Sequence, residues 1–271
     1  QINYFKNIDP LNIIKRKSIH FAKKFALIDD EIGDYFEESS KKESLDLHSY
    51  LGDQLPKNTS DFYKEAKTNY KGRFLEVLNN FLHEFASSNG VIIGEDIADP
   101  YGGAFKATKG ISKKYPKQVV TTPISEATIV GMTAGIALSG GKVCAEIMFG
   151  DFVTNAFDQI INGISKYHHM YGKKISCPAI LRMPMGGKRG YGPTHSQSLE
   201  KFLCGIDNLL VVSPTSLEDP KLTYKDIFSQ KCPSIIIENK IEYTRKSIEI
   251  NNNLEIKKNN ISLGNILIKP K

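Results

Sequence analysis

From residue 73 onward the apolar positions switch repeatedly between two periods. Phe74, Leu75, Val77, Leu78, Phe81, Leu82 and Phe85 recur at helical spacing, and Asn89-Gly90 stops them. Val91-Ile92-Ile93-Gly94 then has the length and composition of a short buried strand. The same reading predicts a strand over 118–122, a helix over 126–138 closed by Gly140-Gly141, and a third strand over 142–148. A long amphipathic helix is predicted over 152–171, with Ala156, Ile160, Ile161, Ile164 and Tyr167 on one side and Gly172 past its end. Strands over 179–183, 209–213 and 234–238, with helices near 198–204 and 216–229, complete the set. Short apolar strands separated by helices predict an α/β fold, a parallel sheet with helices on both faces. Ligands in such sheets sit beyond the carboxyl ends of the strands. That rule singles out Glu95-Asp96, Glu126, residues 149–152, residues 184–187 and Glu238-Asn239.

The pattern is different at both ends. Residues 1–50 are charged and predict helices over 11–25 and about 29–42. Residues 51–71 are polar, contain Pro56, Asn58, Thr59 and Ser60, and read as a linker. The α/β domain is expected over 72–240. Residues 241–271 are read as a linker or the start of a further domain, with one apolar run, Ile266-Leu267-Ile268, suited to an edge strand.

Composition narrows the class. Hydrophobic residues make up 40% and charged residues 24%, the balance of a globular protein with a sizeable core. No apolar run approaches the ~20 residues that span a bilayer, and no basic-then-apolar leader opens the chain. Neither a membrane nor secretion is expected, and the location expected is cytoplasmic. The net charge of +6 resides mainly in the tail: residues 240–271 hold 7 Lys/Arg against 3 Asp/Glu, whereas 73–239 hold 17 against 15. Without a basic stripe carrying interleaved aromatics, a nucleic-acid partner is not expected. Cys144, Cys177, Cys204 and Cys232 show no metal-ligand spacing and are read as reduced thiols.

Three places can carry chemistry. Glu126 stands where a strand ends and a helix rich in small residues begins. It is either a first-turn carboxylate favoured by the helix dipole or a carboxyl able to share a proton with a ligand. His195 closes the loop Gly186-Gly187-Lys188-Arg189-Gly190-Tyr191-Gly192-Pro193-Thr194, whose four glycines and proline forbid regular structure. It is either an acid or donor near neutral pH or a capping, solvated side chain. Phe152 offers its face to a planar heteroaromatic ring or fills the core. Lys188 and Arg189 are read as a solvated basic pair, and His168 and His169, on adjacent helical positions, as unable to chelate one ion together.

These motifs, in this order, resemble the beta subunit of the thiamine-diphosphate-dependent 2-oxo acid dehydrogenases, the decarboxylating first component of the pyruvate and branched-chain complexes. The resemblance rests on Gly94-Glu95-Asp96, Tyr101-Gly102-Gly103-Ala104-Phe105, Pro123-Ile124-Ser125-Glu126, Glu146-Ile147-Met148-Phe149-Gly150-Asp151-Phe152, Phe157-Asp158-Gln159-Ile160 and His195-Ser196-Gln197. Val211-Val212-Ser213-Pro214 and Ile237-Glu238-Asn239-Lys240 follow in the family's order. Asp9-Pro10-Leu11 and Ile28-Asp29-Asp30-Glu31 are similar to the tail of the alpha subunit, which implies a piece of an alpha–beta fusion. The resemblance implies a transketolase-like pyrimidine-binding domain. In it Glu126 hydrogen-bonds the aminopyrimidine ring nitrogen and Phe152 packs on that ring. Glu95 and Gly150 line the cofactor pocket, and His195 donates a proton or positions the acceptor during acyl transfer. It implies thiamine diphosphate as cofactor, with magnesium held by a diphosphate-binding domain elsewhere, because the Gly-Asp-Gly signature is absent and no metal ligand is assigned here. A 2-oxo acid substrate, a lipoyl-bearing acyltransferase component and a homo-oligomer with an alpha-like domain are the implied partners. The competing expectations are a transketolase-like or deoxyxylulose-phosphate-synthase-like thiamine enzyme, and a non-catalytic assembly module of the same fold.

Overall fold

The computed structural model describes residues 63–65, 70–246, 254–259 and 266–270, with side chains described over 70–246. The helices expected over 11–25 and 29–42, and most of the stretch read as a linker, lie outside the described residues. Within that stretch, Tyr63–Glu65 forms a strand, β1. It pairs antiparallel with β8 (Leu254–Asn259), which pairs antiparallel with β9 (Ile266–Pro270). The apolar run at 266–268 lies in β9.

The body is a six-stranded sheet in the order β3-β2-β4-β5-β7-β6, with every neighbouring pair parallel. The strands are β2 (Val91–Gly94), β3 (Val119–Thr121), β4 (Val143–Glu146), β5 (Ile180–Met185), β6 (Leu210–Val212) and β7 (Ser234–Asn239). Alternation along each strand sends side chains to opposite faces. Ile93, Ala145, Leu181, Met183, Ile235 and Ile237 pack in one cluster with α3 (Glu126–Leu138) and the segment 150–164. Ile92, Cys144, Ile180 and Ile236 pack in the other, with α1 (Phe74–Ser87) and α6 (Pro220–Phe228). Helices therefore cover both faces, as the apolar strand runs require. Two short helices, α2 (Ile111–Lys114) and α5 (Glu200–Leu203), lie on the connections.

The single helix expected over 152–171 is instead three pieces. A 3-10 helix spans Gly150–Ala156, a π-helical turn spans Gln159–Ile164, and α4 spans Tyr167–Met170. The apolar stripe survives the change, since Val153, Ala156, Ile160 and Ile164 are all buried. What changes is the backbone pitch between them. The Ser165 N–H reaches back five residues to the Ile160 carbonyl (3.1 Å), and the wide turn contains Asn162 and Gly163, both weak helix formers. Ile161 and Tyr167, placed inward by an ideal helical period, are consequently only half-buried.

Candidate active site

Strand β3 lies on one side of β2 and β4 on the other, so the sheet order reverses at β2 and opens a crevice at the carboxyl ends. Glu95 follows β2, and Glu126 is the first residue of α3, after β3. Gly150, Asp151 and Phe152 follow β4. The glycine-rich loop 186–197 follows β5, and Lys240 follows β7.

Glu126 is buried, 6% exposed. Its Oε2 accepts a hydrogen bond from Asn155 Nδ2 at 3.2 Å, which ties the start of α3 to the Gly150–Ala156 helix. The thirteen-residue α3 presents its positive end here, so a carboxylate is at home. Glu95 is equally buried, and its Oε1 has no partner. Burial, followed by the negative charges of Glu126 and Asp96, holds its carboxyl above the ordinary range. The two glutamates are thus electrostatically coupled.

Asp151 is buried, with Oδ1 accepting from the Gln197 N–H at 2.9 Å and Oδ2 unpartnered. Gly150 lies against the end of β5: a Cβ there would lie 2.3 Å from Met185 Cε, so a larger residue requires the Met185 side chain to move. His195 stands between two aromatic rings, with Phe149 at 4.8 Å and Phe152 at 5.1 Å, both nearly perpendicular to it. Its Nδ1 meets Thr194 Oγ1 at 2.9 Å, and its carbonyl accepts from Lys240 Nζ. Lys188 and Arg189 are both exposed, and the Arg189 guanidinium lies over the Phe105 ring at 5.7 Å.

The structure thus joins Phe152 to His195, and Glu126 both to Glu95 and to the helix that carries Phe152. His168 Nδ1 meets the Ile175 carbonyl, and His169 pairs with Asp207 at 2.7 Å, away from these groups in the hydrogen-bond pattern. Among the described residues no group of three or more His, Cys, Asp or Glu side chains is arranged to hold a metal ion. Nor is any helix there long and apolar enough to cross a membrane.

Beneath the crevice lies a charge cluster that the sequence reading passed over. Arg182 on β5 donates from Nε to Glu238 Oε1 (2.9 Å) and from its terminal nitrogens to Glu238 Oε2 (2.5 Å) and Glu146 Oε2. Tyr224 and Tyr243 donate to the two Glu238 oxygens (2.6 and 2.5 Å), and the Ala104 N–H donates to Glu146 Oε1 (2.7 Å). Burial works to lower the Arg182 pKa, but Glu238 and Glu146 outweigh it and hold the guanidinium well above its ordinary value. The available signal was one charge inside each apolar strand run, since a buried charge requires a partner. Asn155 and Lys240 carried no comparable signal.

Residues 73–246 match the family described as "Transketolase, pyrimidine binding domain". The chain is 36% identical over 153 residues to the pyruvate dehydrogenase E1 component subunit beta of Rickettsia conorii, covering 56% of this chain and 47% of that one. It is 36% identical over 153 residues to the mitochondrial pyruvate dehydrogenase E1 component subunit beta of Bos taurus, covering 56% and 42%. It is 35% identical over 160 residues to the mitochondrial 2-oxoisovalerate dehydrogenase subunit beta 2 of Arabidopsis thaliana, covering 58% and 44%. The chain spans about half the length of the curated relatives it matches.

Proposed function

The chain belongs to the transketolase pyrimidine-binding-domain family, and from that premise we propose that it binds the pyrimidine half of thiamine diphosphate in a 2-oxo acid dehydrogenase. The observation that carries this reading is the buried pair at the crevice. Glu126 has one donor on Oε2 and opens α3, and beside it Glu95 keeps a buried oxygen without a partner. A buried carboxyl with an oxygen free to carry a proton can donate it to a heteroaromatic ring nitrogen, which accepts. The relatives named for pyruvate and 2-oxoisovalerate dehydrogenases support a 2-oxo acid as substrate. Magnesium and the diphosphate are assigned to a diphosphate-binding domain outside the described residues.

When bound, thiamine diphosphate supplies the carbon nucleophile and the electron sink for decarboxylation. The protein's part is proton placement. Glu126, with Oε2 occupied by Asn155, holds the shared proton on Oε1 against the ring. Glu95, whose carboxyl is kept above the ordinary range, stays protonated more readily and so relieves the repulsion between the two glutamates. Phe152 borders the pyrimidine and braces His195. His195, with Nδ1 engaged by Thr194, offers Nε2 as donor to the acyl acceptor, a lipoyl group on a partner acyltransferase. On α3, Gly131 and Gly135, one turn apart, are exposed beside the exposed Met132, a face that supports assembly with an alpha-like domain or a second copy.

The test is Glu126→Gln in the full-length enzyme. Thiamine-dependent decarboxylation of the 2-oxo acid is expected to fall by about 10²–10⁴, the range of a general acid–base group, with the melting temperature held. Near-wild-type decarboxylation removes Glu126 from the mechanism, and ketol transfer without acyl transfer assigns the chain to a transketolase-like reaction instead.

A further inference from the structure

Lys240 is fully buried, yet among the described residues its ammonium forms no ion pair with a carboxylate. Its main chain is fixed, because the Lys240 N–H donates to the Met185 carbonyl at the end of β5 (3.1 Å). Its side chain rises into a box made by the Phe149 ring at 5.2 Å and the Tyr191 ring at 5.5 Å, and Nζ donates to the His195 carbonyl. Burial lowers its pKa, the Asp151 charge works against that, and Arg189 adds to it. A lysine held this way is costly unless its contacts serve something. What it touches is the far end of the loop 186–197.

The rest of that loop is held mainly by ring contacts, Tyr191 against Phe105 and Phe149 (5.6 Å each) and Arg189 over Phe105. Residues 188–194 are exposed and Gly186, Lys188, Gly190 and Gly192 all have positive φ, so the regular structure that the sequence reading excluded from this loop is present only as one 3-10 turn, Pro193–His195. The loop is closed at its base by the Gly186 N–H on the Gln197 carbonyl (3.0 Å). Two charged side chains then grip the segment His195-Ser196-Gln197 from different strands' ends: Lys240 takes a carbonyl, and Asp151 takes the Gln197 N–H. A cation on an acceptor and an anion on a donor are the stronger class of hydrogen bond.

We propose that Lys240 is a positioning residue that, with Asp151, latches the loop 186–197 and sets the His195 ring between Phe149 and Phe152. The consequence for acyl transfer rests on the role proposed above for His195; the latch does not depend on it. The loop can then open without disturbing the sheet, because both grips are made by side chains and neither is a strand hydrogen bond.

The experiment is amide hydrogen exchange on the full chain, together with tryptic cleavage at Lys188 and Arg189. Lys240→Met keeps the length and volume of the side chain and removes the donor. It is expected to raise exchange at His195 and Gln197, whose N–H groups are bonded to the Gly192 carbonyl and Asp151, and cleavage in the loop, by about tenfold or more, the scale of losing a charged hydrogen bond. Exchange in β5 and β7 stays unchanged, and Lys240→Arg regains most of the protection. In the intact enzyme the same variant lowers kcat for acyl transfer to a lipoyl domain, again regained by arginine. Unchanged loop protection in Lys240→Met overturns the latch. Should that variant unfold, ¹⁵N spectra of the parent chain decide the matter: one lysine ammonium must be slow to exchange and ring-current shifted, and its absence overturns the latch equally. If loop protection falls but acyl transfer does not, the latch stands and the role of His195 fails.

Discussion

Two buried polar clusters lie at the carboxyl end of the same sheet, and they differ in how completely they are bonded. Around Arg182, both oxygens of Glu238 and both oxygens of Glu146 accept hydrogen bonds from defined donors. In the crevice, Glu95 Oε1 and Asp151 Oδ2 are buried with no donor at all. Burial separates them only slightly, since Glu146 and Glu238 are fully enclosed and Glu95, Glu126 and Asp151 nearly so. Completeness of bonding does. A saturated cluster has nothing left to offer a ligand and holds three strands together, whereas spare buried acceptors are retained where something else binds.

The largest effect that tests this contrast belongs to the saturated side. Arg182→Met leaves Glu146 and Glu238 buried without their cation, and urea titration is expected to show a loss of about 3–5 kcal/mol. Adding Glu146→Gln and Glu238→Gln should recover part of that loss, because uncharged partners no longer need the guanidinium. A triple variant no more stable than Arg182→Met would show that the cluster is not a unit.

In the crevice the sign reverses. The folded state holds the Glu95 proton more tightly than the unfolded chain does, whose carboxyl has its ordinary value of 4.5. Its contribution is therefore complete below that value and is lost as pH rises through the folded pKa. Glu95→Gln is accordingly expected to be as stable as the parent at low pH and more stable above that window. Denaturation measured from pH 4 to 8 checks it, and a destabilised Glu95→Gln at pH 7 would place Glu95 with the structural cluster. The smallest effect is at the surface: His169→Gln breaks the exposed pair with Asp207 and should change stability by no more than about 1 kcal/mol at pH 6.

Much of this architecture was legible along the chain. The helix predicted over 126–138 coincides with α3, because a strand end and closing glycines bracket it locally. The strands agree to within a few residues, since a strand buried on both faces is a continuous apolar run. The segment after β4 was misread as one helix, because an apolar stripe specifies which residues face inward and not the pitch that joins them. Glu126 and His195 stood out by position and loop chemistry. Lys240 did not, because its acceptor is a main-chain carbonyl 45 residues away and carbonyls leave no trace in a sequence. Arg182 meets Glu146 across 36 residues and Glu238 across 56, separations that only strand order can close.

By itself, then, the sequence determined the class of fold and the ends of strands where chemistry would collect, because periodicity and turn chemistry act over a few residues. Only the tertiary structure decided which charges were saturated and which were spare. That depends on β5 standing between β4 and β7, and on a glycine-rich loop folding back over a buried lysine. Those contacts are made between segments far apart in the chain, where the free energy of pairing two buried groups exceeds any local preference either residue carries.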